Sequence, residues 1–272
     1  MTEDRLRAIA LQWRAEARPA VVVQVTASLG SVPRTAGTRM LIATDTAHGT
    51  IGGGHLEWQA MAQARRLLAG EPVARERHLA LGPALGQCCG GVLDLRLTSL
   101  ADDDPTRWPA EPPLFDLQLY GAGHVGRAIV RLLVDLPCRV SWIDEREVAF
   151  DADAGAPLVA APHIRRICTE AVEAEVASAA PGAFYLVLTH RHDLDLAIVQ
   201  AILARGDAGF VGLIGSRTKR ARFENRLRGR HGFDDARLAT LVCPIGLQGI
   251  SGKAPPVIAL AVVAQLLQQA TR

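Results

Sequence analysis

Gly121-Ala122-Gly123-His124-Val125-Gly126 follows the alternating apolar stretch Leu114–Tyr120 and opens a helix-periodic stretch, Val125–Leu136. Three glycines at this spacing, between a strand and a helix, restrict the backbone more than any other feature of the chain. The first permits a tight turn, the second lets backbone N–H groups approach an anion, and the third lets the helix pack closely on the strand. A helix N-terminus behind such a turn supplies unpaired donors and a partial positive charge. Asp144 lies 18 residues beyond Gly126, at the end of the next strand, RVSWI, where an acid would bond a ribose hydroxyl. The same glycines could equally serve only to close the turn, because their steric role needs no ligand.

The rest of this half alternates. Thr169–Ala179 is predicted as a helix, FYLVLT as a strand and Asp193–Arg205 as a helix; FVGLI is a strand, Lys219–Leu227 a helix, and Pro255–Gln269 a closing helix with prolines in its first turn. Strands separated by helices imply a parallel sheet covered on both faces, a Rossmann-like doubly wound α/β domain. The first half reads as a mixed α+β domain. An opening helix precedes a β-branched strand, Ala20–Thr26, and a strand at Arg39–Ile42; a helix at His55–Ala69 and strands at Val73–Leu81 and Val92–Leu97 follow. The stretch Ser99–Pro113, SLADDDPTRWPAEPP, has four prolines and few periodic apolar residues. It reads as a semi-rigid connector, dividing the chain into residues 1–104, a linker 105–113 and residues 114–272.

A formal charge of +2 argues against a dedicated nucleic-acid surface. Lys occurs only at Lys219 and Lys253, so the positive charge is almost all Arg. Guanidinium forks suit anions, although a GC-rich genome would produce the same skew. No apolar run approaches the ~20 residues of a membrane span, and MTEDRLRAIALQWR reads as an amphipathic helix with acids in its first turn, not a leader. Five cysteines, two of them adjacent, do not make a disulfide framework, which points to a reducing, cytoplasmic setting.

Several loops carry chemistry. His190, His192 and Asp193 follow a strand end, the place where open α/β sheets bind ligands; their spacing misses that of hydrolase metal clusters, and Asp193 is placed to cap the next helix. His124 is expected to face the crevice, and Cys138, Cys168 and Cys243 to lie in or near the core. In the first domain, Ser28–Gly37 combines hydroxyls (Ser31 among them), glycines and Arg34, a composition for accepting an anion, or for a plain surface turn. Gly52-Gly53-Gly54 costs too much chain entropy for ordinary strand or helix, so a ligand or another segment should approach the backbone closely there. Cys88-Cys89-Gly90-Gly91 sets soft thiols beside bare backbone; the alternative is a pair of small apolar residues entering a strand.

Taken in order, ASLGSVPRTAGTRM, GTIGGGHLE, GQCCGGV, YGAGHVGRA, THRHDLDL, GLIGSRTKRARF and CPIGLQGISGKAPPVIALAVVAQLL resemble the XdhC/CoxI family, accessory proteins of xanthine dehydrogenase and related molybdenum hydroxylases. The resemblance runs from about residue 20 to residue 268, and the PIGLQGISGK form is similar to the xanthine dehydrogenase branch in particular. It implies a carrier rather than a metabolic enzyme, a chaperone serving purine catabolism. Such a protein binds the molybdenum cofactor (molybdopterin), holds it while a cysteine desulfurase adds terminal sulfur, and delivers it to the xanthine dehydrogenase molybdenum subunit. Molybdenum cofactor biosynthesis proteins would be further partners. On that reading Cys89, with Cys88, would be a metal-side thiol, and Ser31, Arg34 and Gly52, Gly53 and Gly54 would lie near the pterin or its phosphate. NAD(P) and an oxidoreductase role stay open through Gly121, Gly123, His124, Gly126 and Asp144, as does a homodimer.

Overall fold

The computed structural model describes residues 1–81, 90–151 and 161–271, which form two compact units, Met1–Glu111 and Pro112–Arg272. The expectations for Cys88 and Cys89 lie outside the described residues.

The first unit contains α1 (Glu3–Ala15), β1 (Val21–Leu29), β2 (Arg39–Ile42), β3 (Ala47–Gly49), α2 (Gly54–Leu68), β4 (Glu76–Ala80) and β5 (Val92–Ser99). Its strands pair antiparallel in the order β3-β2-β1-β5-β4. The unbroken valine run of β1 follows from its central place. Val21, Val23 and Val25 pack against Leu56, Ala60 and Ala64 of α2, whereas Val22 turns to the other face, against Leu6, Ala10 and Trp13 of α1. Alternation at period two thus puts apolar side chains on both faces, each covered by one helix. The Asp- and Pro-rich stretch is packed in this unit: Pro105–Arg107 form a 3-10 turn, Pro105 and Trp108 are buried, and Trp108 joins the α1 cluster.

The second unit is α/β with six parallel strands. In chain order it has β6 (Asp116–Tyr120), α3 (His124–Leu133), β7 (Arg139–Asp144), α4 (Val148–Asp151), β8 (Ile164–Cys168), β9 (Phe184–Val187), α5 (His192–Arg205), β10 (Phe210–Leu213), α6 (Arg217–His231), α7 (Asp235–Ala239), β11 (Leu241–Val242) and α8 (Pro255–Ala270). The sheet order is β11-β10-β9-β6-β7-β8, and every neighbouring pair is parallel. The chain winds outward from β6 through β7 and β8, then returns to build the other half from β9. The switch point therefore lies between β6 and β9, and the crevice outside their carboxyl ends is where this topology accepts ligands. Leu117, Leu119 and Leu186 face the α3–α8 layer, while Tyr120, Tyr185 and Val187 face α5 and α6.

One expectation is corrected. Thr169–Ala179 is not an α-helix; only Val172–Ser178 coil, as a 3-10 run. The Glu175 carbonyl accepts from the buried Gln118 amide and from Ser178 Oγ, each at 2.8 Å, so it is engaged outside an α-helical ladder. β8 is an edge strand whose Arg165 and Arg166 are exposed, which left it little apolar pattern to read.

Candidate functional site

In the first unit the sequence-predicted residues converge on one another. Ser28 Oγ accepts from the Ala36 amide at 3.2 Å and closes the loop that carries Ser31 and Arg34, both exposed. That loop packs on the glycine step after the cysteine pair. A Cβ built on Gly91 would stand 2.6 Å from the carbonyls of Leu29 and Ser31, and one on Gly30 would stand 3.3 Å from Gly91 Cα. The same loop also explains one of the three consecutive glycines. A Cβ at Gly52, where φ is +125°, would stand 2.4 Å from Pro33 Cγ. The close approach expected at this triplet is thus made by another segment of the chain.

Gly52, Gly53 and Gly54 all have positive φ, and Gly54 begins α2 instead of preceding it. The donors of Gly52 and Gly53 are used internally. Glu57, in the first turn of α2, accepts from Gly53 N at 3.1 Å, Ile51 N at 3.3 Å and Thr50 Oγ1 at 2.5 Å, and Thr50 Oγ1 accepts from Gly52 N at 3.1 Å. Among the described residues, a Cβ built on Gly37, Gly53 or Gly90 of these loops would meet no atom within 4 Å. An approaching group meets no such obstruction there, although the Gly53 amide is already committed to Glu57.

In the second unit the glycine motif divides in the same way. Gly121 has φ +120°, and its Cβ would stand 2.4 Å from Leu188 O; a Cβ on Gly126 would stand 2.1 Å from Gly121 O. Both are required by the packing of β6, α3 and the β9 loop, whatever binds there. Gly123 is the N-cap of α3, extended in φ and ψ, with no side-chain cap; a Cβ there would meet nothing within 4 Å. His124, the first helical residue, is exposed.

Asp144 is buried, and both its oxygens are engaged by the chain itself. Ala122 N donates to Oδ2 at 2.7 Å, Arg146 N to Oδ1 at 3.0 Å, and the Arg146 guanidinium bridges both oxygens at 2.9 and 3.0 Å. Burial alone would raise its pKa, but Arg146 and the two amides outweigh burial and hold the carboxyl below the ordinary value. The acid thus braces the glycine turn against the end of β7.

The loops after β9 and β10 meet through residues that spacing did not single out. Asp195 is fully buried; its Oδ1 accepts from Thr189 N at 3.0 Å and Thr189 Oγ1 at 2.7 Å, and its Oδ2 pairs with Lys219 Nζ at 2.6 Å. Lys219 also donates to Ile214 O at 2.9 Å. The available signal was compositional: a chain that uses Lys at only two positions places one here. Asp193 does not cap α5, whose N-cap is Arg191 without a side-chain bond; it pairs with the Arg191 guanidinium, which lowers its pKa to about 2. His190 Nε2 lies 3.4 Å from Glu145 Oε1. Cys138 and Cys243 are buried, but Cys168 is exposed at the end of β8, and a hydrogen bond with Glu147 pushes its thiol pKa up. Ile167 beside it is half-buried and Arg166, two residues back on the same face, is exposed, so alternation turns Cys168 outward. Among the described residues no three His, Cys, Asp or Glu side chains gather as a metal-holding group, and no helix is long and apolar enough to cross a membrane.

Comparison with known proteins agrees with this architecture. Residues 117–266 match the family model described as the XdhC Rossmann domain, and residues 13–78 match that of the XdhC and CoxI family. The uncharacterized protein YqeB of Escherichia coli (strain K12) is 28% identical over 257 residues, 92% of this chain and 43% of that protein. The chain thus spans less than half the length of that relative. The crystal structure of a xanthine dehydrogenase from Bacillus halodurans superposes with a TM-score of 0.71 at 18% identity, covering 100% of this chain and 96% of the other. At that identity the likeness speaks for the fold.

Proposed function

The chain belongs to the XdhC and CoxI family, and from that premise we propose that it is an accessory protein of a xanthine dehydrogenase. It binds the molybdenum cofactor, holds it while a cysteine desulfurase acts on it, and releases it to the apo-dehydrogenase. The observation that carries this reading is the convergence, in the first unit, of the Ser31–Arg34 loop, the Gly52 turn and the Gly90-Gly91 step onto one another.

The described residues fit such a group. Its phosphate and pterin need hydrogen-bond donors, and its metal side needs soft neighbours. Ser31 and Arg34 are exposed, and among the described residues nothing stands within 4 Å of a Cβ built on Gly90. Cys89, the chain neighbour of Gly90, would supply the soft thiol. The bound cofactor carries the sulfur-accepting molybdenum centre that the dehydrogenase requires. What this chain does is hold it with hydroxyls, a guanidinium and amides rather than a closed set of metal ligands, a mode of binding that permits release. Gly30, Gly52 and Gly91 fix the loops by close packing, so the donors are set in place before a ligand arrives.

A nicotinamide-dependent oxidoreductase is supported less well, because Asp144 is committed to Arg146 and Ala122 and not turned to a ribose. Anaerobic purification of the chain from cells that make the cofactor tests the proposal. Pterin and molybdenum should co-elute with the wild type, activate apo-xanthine dehydrogenase, and be lost from Cys89→Ala. A chain that retains neither, and whose Cys89→Ala variant supports maturation equally well, would overturn it; micromolar NAD(P) binding with hydride transfer would move the assignment to the oxidoreductase.

A further inference from the structure

A basin of about 220 Å³ lies between the first residue of α5 and the first turns of α6, lined by His192, Ser216, Thr218, Lys219, Arg222 and Arg226, with Phe223 as its apolar wall. Among the described residues, no acidic residue lines it. α6 carries seven Lys and Arg residues against one Glu, in a chain whose total charge is only +2. Those charges are not equivalent. Arg220 is paired with Glu224 at 2.7 Å, and Arg228 is paired with Asp235. Arg222 and Arg226 have no ion pair or hydrogen bond among the described residues, and both line the basin. Four residues apart on a helix, they stand on one face about 5–6 Å apart at Cβ, a spacing that lets two guanidinium forks close on a single small anion.

The walls are also held rigidly. Lys219 is anchored to Asp195 of α5 at 2.6 Å and to the carbonyl of Ile214, after β10, at 2.9 Å, and Asp195 in turn holds Thr189 beyond the end of β9. One buried ion pair therefore fixes the start of α6 against α5, the two elements that supply the lining. Ser216 Oγ caps α6 by accepting from Lys219 N at 3.2 Å, so that hydroxyl is committed, whereas the Thr218 hydroxyl lines the basin. A buried ion pair contributes little net stability; its effect here is to position two unpaired arginines around a fixed concavity.

We propose that this basin is a subsite for the phosphate monoester of a small molecule, separate from the glycine turn after β6. The proposal does not depend on the cofactor reading. A nucleotide and a phosphorylated pterin would present the same dianion, and the test separates them. Inorganic phosphate, adenosine 5′-monophosphate and a synthetic pterin phosphate are titrated at low salt into the full chain and into Arg222→Ala/Arg226→Ala, with binding read by ³¹P NMR line width and folding by circular dichroism. The wild type should bind inorganic phosphate saturably, and the double variant at least about tenfold more weakly, as expected when two charge-assisted contacts are lost. Tighter binding of the nucleotide or of the pterin phosphate than of phosphate itself identifies the source. Arg228→Ala, outside the basin, is the folded control and should bind as the wild type does. Equal affinity in the wild type and a folded double variant overturns the proposal. So does binding of polyglutamate in the absence of phosphate binding, which would make α6 a docking face for an acidic protein.

Discussion

Replacing Asp195 by Asn removes one charge from the interior without changing its volume. Asp195 is fully buried and the Lys219 side chain is only 12% exposed, so neither ion can turn to water when its partner is lost. The amide oxygen of Asn can still accept from Thr189, which isolates the charge effect. Removing one member of a buried pair strands the other, at a cost of about 3–5 kcal/mol, and the retained Thr189 bonds put Asp195→Asn at the lower end. Lys219→Met should cost a similar amount, because it leaves a buried carboxylate whose remaining partner is Thr189. The double variant has no stranded charge and should return to within about 1–2 kcal/mol of the wild type. Urea denaturation read by hydrogen exchange of β9 and α5 peptides reports on this unit alone, a necessary choice in a chain of two units. A single variant costing less than about 1 kcal/mol, or a double variant as unstable as the sum of the singles, would refute the view that the pair is a mutually dependent anchor.

Gly123→Asp should raise stability by about 0.5–1 kcal/mol, since it gives α3 the side-chain cap it lacks. If the glycine turn contacts an anionic part of the cofactor, the same variant should lose cofactor in the co-purification assay, a combination that no general destabilisation produces. Gly126→Ala drives a Cβ to 2.1 Å from Gly121 O and should fail to accumulate as folded protein. Gly53→Ala meets no described neighbour but must hold φ +76°, ψ −171°, a region almost reserved for glycine, at roughly 1–3 kcal/mol, whereas Gly52→Ala adds a clash with Pro33 and should melt at a clearly lower temperature. Asp144→Asn should destabilise the chain at neutral pH. Because the folded pKa of Asp144 is depressed, that difference is fully present above its ordinary value of 3.8 and fades as pH falls through the folded value; a gap that stays constant down to pH 2 would rule out the Arg146 pairing as its source.

The parallel sheet was legible because each buried strand announces itself locally. RVSWI and FVGLI are β-branched runs between turn residues, and Gly121 and Gly126 are each required by close packing. β3 and β8 were not legible for the opposite reason: they lie at sheet edges, where one side needs no apolar partner. The 3-10 run at Val172–Ser178 carries helix-forming composition, but Gln118, a residue 57 positions away from Glu175, engages its carbonyl. No window of sequence contains that competition. Asp195 and Lys219 were hidden likewise, because what joins them is the adjacency of β9 and β10 rather than any motif.

The glycine turns of this chain hold carboxylates in a way that would bear on ligand entry. At the Gly52–Gly54 turn, Glu57 already occupies amides that an incoming phosphate would use. At the Gly121–Gly126 turn, Asp144 already holds the Ala122 amide. These carboxylates keep the turns in shape without a ligand and repel a second anion from the same donors. A phosphate that binds this chain would therefore be directed to positions no carboxylate among the described residues has claimed, the backbone at Gly123 and Gly90 and the guanidinium groups of Arg222 and Arg226. Substituting Glu57 by Gln tests this directly. The amides would keep an acceptor and the turn its shape, while the local negative charge disappears. Phosphate affinity of the first unit should then rise at low ionic strength, and a fall would mean that Glu57 orders the turn for the ligand rather than standing in its place.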